Sequence, residues 1–145
     1  RLTFQTIGHD KVNQLRHVRY LKDINDSKEH MKKHADILRP KFELVEDILT
    51  KEVVDLGLAK FVKPNGGYFI SLFTLNGCAS RVYALCKEAG VDLTPVGSAY
   101  PYHKDPFDSN LRIAPSFPSL KDLEYASNIL SLAIKIASIE HRLSN

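Results

Sequence analysis

The sequence predicts an α+β domain in which helices pack on one face of a small mixed or antiparallel sheet. Segments with helical periodicity open and close the chain, and short segments with strand-like alternation lie between them. These predicted strands are too short and too interrupted for a doubly wound parallel sheet. The length of 145 residues is that of a single domain with its own core.

Two helices are predicted in the first third of the chain. Hydrophobic residues at intervals of three predict a helix over residues 10–21. A longer helix follows, because apolar residues alternate at steps of four and three over residues 31–49. Asp26 and Glu29 have the spacing of a capping pair at its start, and Gly57 predicts its end.

A β-hairpin is predicted next, over residues 60–62 and 68–74. The Pro-Asn-Gly-Gly sequence at 64–67 is typical of the turn between them. Hydrophobic side chains occur on both faces of the second segment, which predicts a central strand that is covered on both faces. The glycine pair is interpreted as a turn that needs positive φ, with close approach of a ligand to the backbone as the alternative.

A short amphipathic helix is predicted over residues 79–89, and Gly90 is placed to close it. Residues 93–96 then predict a short strand. The long segment 97–110 is rich in turn-forming residues, and loops of this length in compact domains are usually functional or disordered.

The chain closes with an extended segment and a helix. Residues 111–115 are predicted to be extended. Ser119 and Asp122 form a capping box for a final helix over residues 120–141.

Composition excludes several classes of protein. Hydrophobic residues make up 43% of the chain, and no apolar segment reaches the roughly 18 residues that a membrane span needs. The formal net charge of +3 is spread along the chain, so we expect neither a nucleic-acid partner nor a membrane surface. Cys78 and Cys86 match no redox or zinc spacing and are interpreted as free, buried thiols in a reducing compartment. Because the chain begins with Arg1 and its one methionine is internal, we expect a piece of a longer product.

Sequence motifs for common catalytic sites are absent. The chain has no glycine-rich phosphate loop and no nucleophile elbow. His30 and His34 have the spacing of a metal pair, but the glutamate of the zinc-protease motif is missing, so no metal site is predicted.

Arg112 is the residue that physical reasoning singles out. In a strand, alternation places Leu111 and Ile113 on one face and Arg112 on the other. A planar guanidinium in that position, after a long loop, is suited to bind a carboxylate through two hydrogen bonds. The alternative is a surface arginine that pairs with Asp105 or Asp108.

Three segments carry a more specific resemblance. They are PNGGYFIS at 64–71, KEAGV at 87–91 and NLRIAPSFP at 110–118. In this order and at this spacing, the chain resembles the C-terminal small domain of the fold-type I, pyridoxal-phosphate-dependent aminotransferases of class I/II. The segment IGHDKVNQLRH at 7–17 is similar to a bacterial branch of that family, the aspartate-aminotransferase-like or alanine-glyoxylate-aminotransferase-like proteins.

The resemblance implies a domain organisation and a reaction. Residues 1–145 would be the small domain, with a connecting segment and first helix over 1–26 and an α+β core over 27–145. The intact protein would be a cytoplasmic homodimer that transfers an amino group between an amino acid and a 2-oxo acid. Pyridoxal 5'-phosphate would be bound mainly by a larger domain, whose Schiff-base lysine precedes this segment. No catalytic residue is therefore expected in this chain, which should be inactive alone.

The resemblance also implies roles for individual residues. Arg112 matches the arginine that binds the substrate α-carboxylate. Lys11 and Asn13 lie in a segment that, in such dimers, is near the partner's active site, so they are candidate cofactor or substrate contacts. Gly67 and Tyr68 are candidates at the edge of the cleft.

Two other functions stay open from the sequence. One is a ligand-sensing, aminotransferase-like domain of a transcriptional regulator. The other is a non-catalytic α+β ligand-binding module.

Overall fold

The α+β class is confirmed by the computed structural model, which describes residues 8–144. These residues form four α-helices and three strands and, in addition, one π-helical and one 3-10 turn. In chain order they are α1 Lys11–Tyr20, α2 Ile24–Leu49, the π-helical turn Thr50–Val54, β1 Ala59–Phe61, β2 Ile70–Thr74, α3 Ala79–Glu88, the 3-10 turn Pro101–His103, β3 Asn110–Ile113 and α4 Leu120–Leu143. The chain divides into two compact units, with the boundary after Ile37.

The first unit contains α1 and the beginning of α2. The Asp10 side chain caps α1, because its carboxylate accepts a hydrogen bond of 2.9 Å from the Asn13 amide. The helix predicted over residues 10–21 is thus confirmed. None of the residues of α1 is buried, although Val12 and Val18 belong to the predicted apolar stripe.

The start of α2 differs from the prediction. Asp26 and Glu29 do not form the cap, since the helix already begins at Ile24. The carboxylate of Asp23 accepts hydrogen bonds from the amides of Asn25 and Asp26, at 2.7 and 3.0 Å. Asp23 precedes the helix, where a carboxylate can satisfy amides that lack a partner within the helix.

The second unit is built on an antiparallel sheet in the order β1-β2-β3. Ile70 pairs with Ile113 and Ser71 pairs with Arg112, which sets the register of β2 and β3. The hairpin and the central position of β2 are confirmed. The expectation that both faces of β2 are covered is wrong for residues 8–144, because Ile70 is buried while Ser71 is exposed.

One face of the sheet and the helices of the second unit enclose the hydrophobic core. Burying each large aliphatic side chain contributes about 1.5–3 kcal/mol, so these residues supply most of the driving force for folding. The buried hydrophobic residues are Val45, Leu49, Val53, Ile70, Leu72, Cys78, Ala79, Val82, Cys86, Leu111, Ile113, Leu123, Leu130, Ala133, Ile134 and Ala137.

The predicted C-terminal end of α3 and the predicted start of α4 are confirmed. Gly90 has a φ of 81°, and the Val91 amide after it donates to the Cys86 carbonyl at 2.8 Å. Ser119 accepts a hydrogen bond from the Asp122 amide at the start of α4. Both ends depend on local sequence, which explains why periodicity and capping residues locate them.

The predicted strand at residues 93–96 is wrong, because this segment is irregular. Leu93 and Val96 are partly buried and pack against the core without pairing to another strand. Pro95 has no amide hydrogen to donate to a sheet. Apolar character here reflects packing rather than strand formation.

Cys78 and Cys86 are free and buried, as predicted. Burial raises the pKa of the Cys86 thiol to about 11, which keeps it protonated and unreactive near neutral pH. Within residues 8–144, each helix is too short or too polar to span a bilayer.

Candidate functional site

Arg112 lies on β3, on the face of the sheet opposite the core. Its neighbours Leu111 and Ile113 are 1% and 7% exposed, whereas Arg112 itself is half-buried. The predicted alternation of β3 is therefore confirmed. The strand holds the side chain of Arg112 away from the core, at a place where part of it still meets solvent.

The alternative of a surface ion pair is wrong. Arg112 forms no ion pair with any residue between 8 and 144. The Asp108 carboxylate instead accepts hydrogen bonds from the amide and the hydroxyl of Ser80, the latter at 2.6 Å. Asp105 is likewise occupied by backbone amides, so neither carboxylate neutralises the guanidinium.

Asp105 organises the loop that leads into β3. Its carboxylate accepts hydrogen bonds from the amides of Phe107, Ser109 and Asn110, at 2.8 to 3.0 Å. Burial raises the pKa of the Asp105 carboxyl. The three hydrogen-bond donors together lower it by more, so the pKa lies below the ordinary value. The ionised side chain thus holds the residues that immediately precede Arg112.

The guanidinium of Arg112 lies over the ring of Phe69. Its Cζ atom is 4.5 Å from the ring centroid, within the range of a cation–π interaction. The Nε atom is buried and has no hydrogen-bond partner among the described residues. A buried donor without an acceptor costs about 1–3 kcal/mol, so a hydrogen-bond partner for this group would be stabilising.

Two polar side chains flank Arg112 on the same sheet face. Ser71 is its direct partner across the strands, and Asn110 precedes it by two residues. The Asn110 side-chain amide donates to the Ser71 hydroxyl at 2.9 Å. This bond links β2 to β3 beside the guanidinium, so the backbone that carries Arg112 is braced from both strands.

Gly67 and Tyr68 lie in the loop between β1 and β2. The second strand begins at Ile70, so this connection is longer than the predicted turn, and Tyr68 and Phe69 precede the strand. Gly67 has a φ of 94°, and a Cβ atom at this glycine would have open space. The positive φ is what the turn interpretation requires. A close approach of a ligand to this glycine stays a prediction.

Lys11 and Asn13 lie on α1, in the first unit, and both are exposed. The Asn13 amide bonds Asp10, and its carbonyl contacts the Nδ1 atom of His17 at 2.8 Å. The role of Lys11 and Asn13 as cofactor or substrate contacts stays a prediction.

His30 and His34 contact each other. Their Nε2 atoms are 3.1 Å apart, and the Tyr20 hydroxyl lies 3.3 Å from Nδ1 of His30. Within the described part of the chain, no three histidine, cysteine, aspartate or glutamate residues are grouped to hold a metal ion.

The described lysines are exposed or half-buried in this structure. A Schiff-base lysine needs a desolvated setting that lowers its pKa. None of the lysines among residues 8–144 is buried. The half-buried Lys41 and Lys135 are bonded to the Ser116 carbonyl and to Glu52 respectively. Arg112, by contrast, fits a carboxylate.

Arg112 was found from its position in a strand, but its partner Phe69 was missed. The signal was present in the sequence, since Phe69, Ser71 and Phe73 alternate with buried residues of β2. Only the register between β2 and β3 places Phe69 beside Arg112, and the sequence does not specify that register.

Comparisons with known proteins show the family of the chain. The sequence profile of a family described as aspartate amino-transferase matches residues 1–145. An aspartate aminotransferase of Corynebacterium glutamicum is 47% identical over 135 residues, which cover 93% of this chain and 31% of the relative. The chain spans about a third of the length of the curated relatives it matches.

Solved structures show the same similarity. The crystal structure of an aspartate transaminase from Corynebacterium glutamicum matches with a TM-score of 0.90 and 46% identity, over 95% of this chain and 32% of that one. The α-aminoadipate aminotransferase of Thermus thermophilus, complexed with N-(5'-phosphopyridoxyl)-L-leucine, matches with a TM-score of 0.67. At 19% identity over 82% of this chain and 29% of that one, this second likeness concerns the fold alone.

Proposed function

Because the chain belongs to the aspartate aminotransferase family, we propose that residues 1–145 are the C-terminal small domain of an aminotransferase and that Arg112 binds the substrate α-carboxylate. Residues 1–26 would be the connecting segment and first helix, and residues 27–145 the α+β core. The chain's coverage of about a third of its relatives supports a domain of a larger enzyme.

One observation carries the role of Arg112. Arg112 is half-buried, has no carboxylate partner among residues 8–144, and has a desolvated Nε donor that lacks an acceptor among them. A charge-assisted pair with a carboxylate would satisfy such a group. Asp105 and Asp108, the acidic residues nearest in sequence, are occupied by other donors.

The intact protein would transfer an amino group between an amino acid and a 2-oxo acid. Pyridoxal 5'-phosphate would be bound mainly by the larger domain and would supply the electron sink for this chemistry. The contribution of this chain would be to fix the orientation of the substrate through Arg112. With no buried lysine among residues 8–144, the chain alone is proposed to be inactive.

Further contacts in the intact protein are part of the same proposal. A cytoplasmic homodimer would bring Lys11 and Asn13 near the active site of the partner, and Gly67 and Tyr68 would lie at the edge of the cleft. L-aspartate is the first substrate to test, because a relative 47% identical is named an aspartate aminotransferase. The names of the relatives favour an enzyme over a transcriptional regulator or a non-catalytic module.

Kinetics of the intact enzyme test the proposal. Arg112→Ala should lower kcat/KM for L-aspartate by a factor of about 30 to several thousand. This factor corresponds to a loss of about 2–5 kcal/mol of transition-state stabilisation. Arg142→Ala, at an exposed arginine of α4, is the matched control and should leave kcat/KM unchanged. A kcat/KM of Arg112→Ala within twofold of the parent would refute the proposal.

A further inference from the structure

We propose that Phe69 is a positioning residue for Arg112, and that its ring holds the guanidinium in the orientation that receives a carboxylate. This inference rests on the proposed role of Arg112 in substrate binding. Phe69 itself need not touch the substrate, because its effect would pass through the arginine.

The contact with Phe69 is compatible with carboxylate binding at the edge of the guanidinium. The guanidinium is planar, and its N–H groups point outward in that plane. The Cζ atom lies over the phenyl ring, 4.5 Å from the ring centroid. A carboxylate approaches in the plane of the guanidinium, so it does not compete with a ring that packs on a face of that plane.

The sheet explains how two distant residues meet. Ser71 lies directly opposite Arg112, and Phe69 precedes Ser71 by two residues. Phe69 is therefore the diagonal neighbour of Arg112 on the same face, at a separation that aromatic and long side chains can bridge. The contact is a consequence of the β2–β3 register.

The loop that carries Phe69 is anchored near both ends. Lys63, near its start, forms an ion pair of 3.0 Å with the buried side chain of Glu46 on α2. The hydrogen bond and the charge of Glu46 raise the pKa of Lys63. At the other end of the loop, Phe69 immediately precedes Ile70, the first residue of β2, which is fully buried.

Orientation matters because Phe69 is the contact that holds the guanidinium among residues 8–144. Among residues 8–144, Arg112 has neither an ion pair nor a hydrogen-bond partner for Nε. An unheld arginine side chain would lose its rotamer freedom each time a carboxylate bound. The ring removes part of that freedom beforehand, which strengthens binding by preorganisation.

The test uses the intact holoenzyme with Phe69→Leu and Phe69→Tyr. Leucine keeps an apolar side chain without a π face, and tyrosine keeps the ring. Succinate is the binding probe, because it has carboxylates but no amino group to react. Calorimetry should show a Kd for succinate about 2- to 30-fold weaker in Phe69→Leu and within twofold of the parent in Phe69→Tyr.

Kinetics separate positioning from a general structural effect. For L-aspartate, Phe69→Leu should raise KM by a similar factor, while kcat stays within about threefold. Phe117→Leu removes a ring that is 96% exposed and should change neither KM nor the Kd for succinate. Equal losses in the Leu and Tyr variants would overturn the inference, because the π face would then not be the cause.

Arg112→Ala distinguishes the inference from the proposal beneath it. If Arg112→Ala loses succinate binding and Phe69→Leu does not, the positioning role is wrong and the carboxylate role stands. If Arg112→Ala binds succinate as the parent does, the proposed function itself is wrong.

NMR of the parent enzyme tests the contact between Phe69 and Arg112 even if the Phe69 variants fail to fold. The Nε–H proton of Arg112, identified by its absence in Arg112→Lys, should be shifted upfield by the ring, and an unshifted signal would contradict the contact.

Discussion

The two units of the chain use similar helical patterns with different results. In the second unit, apolar residues of α4 such as Leu130 and Ile134 are 2% and 0% exposed. In the first unit, the apolar stripe of α1 is exposed, with Leu15 at 56% and Val18 at 66%. Periodicity predicts the helix in both cases, but burial requires a second surface that periodicity does not specify. Arg112 belongs to the second unit, where the hydrophobic core provides the packed scaffold that holds a binding group in place.

Leucine truncation in each unit is the sharpest way to break this comparison. In the 145-residue chain, Leu130→Ala should lower the free energy of unfolding by about 2–5 kcal/mol, because it leaves a cavity in the core. Leu15→Ala is the matched control on α1 and should change it by less than about 0.5 kcal/mol. Urea unfolding measures both values. Similar losses at the two sites would contradict the contrast between the units.

Removal of the Asp105 carboxylate should have a smaller effect, confined to the second unit. Asp105→Ala leaves the amides of Phe107, Ser109 and Asn110 without their acceptor, and should cost about 1–3 kcal/mol in urea unfolding. Asp92→Ala, at an exposed aspartate, is the control and should be nearly neutral.

The lowered pKa of Asp105 determines how its contribution to the free energy of unfolding changes with pH. Because its pKa is lower in the folded state, its contribution is complete above the ordinary carboxyl pKa of about 4. That contribution is lost as the pH falls through the lower folded value. The difference in stability between the parent and Asp105→Ala should therefore shrink on acidification below about pH 4. A difference that stays constant down to pH 2 would show that the carboxylate charge plays no part.

Local signals in the sequence predicted most of the fold. Gly90 and Ser119 act within one turn of their own helices, and each ends or begins its helix as expected. The segment around Pro95 misled the prediction, because apolar residues that pack on a core resemble a strand. Asp23 was missed as the cap of α2, since Asp26 offered a similar pattern three residues later.

The candidate site was predicted in part. Alternation along β3 was enough to place Arg112 on the face away from the core. Whether Asp105 or Asp108 would neutralise it could not be decided, because that depends on where the loop places each carboxylate. The contact with Phe69 depends on strand register, which emerges only when β2 and β3 are paired.

A crystal structure of the intact enzyme with bound succinate tests the central claim most directly. The measured quantity is the distance from the guanidinium nitrogens of Arg112 to the nearest succinate carboxylate. We expect two N–H···O contacts of about 2.7–3.2 Å, with the Phe69 ring still against the guanidinium. A carboxylate held by other cations, with the Arg112 nitrogens more than about 4 Å away, would contradict the assignment of Arg112 as the carboxylate-binding residue.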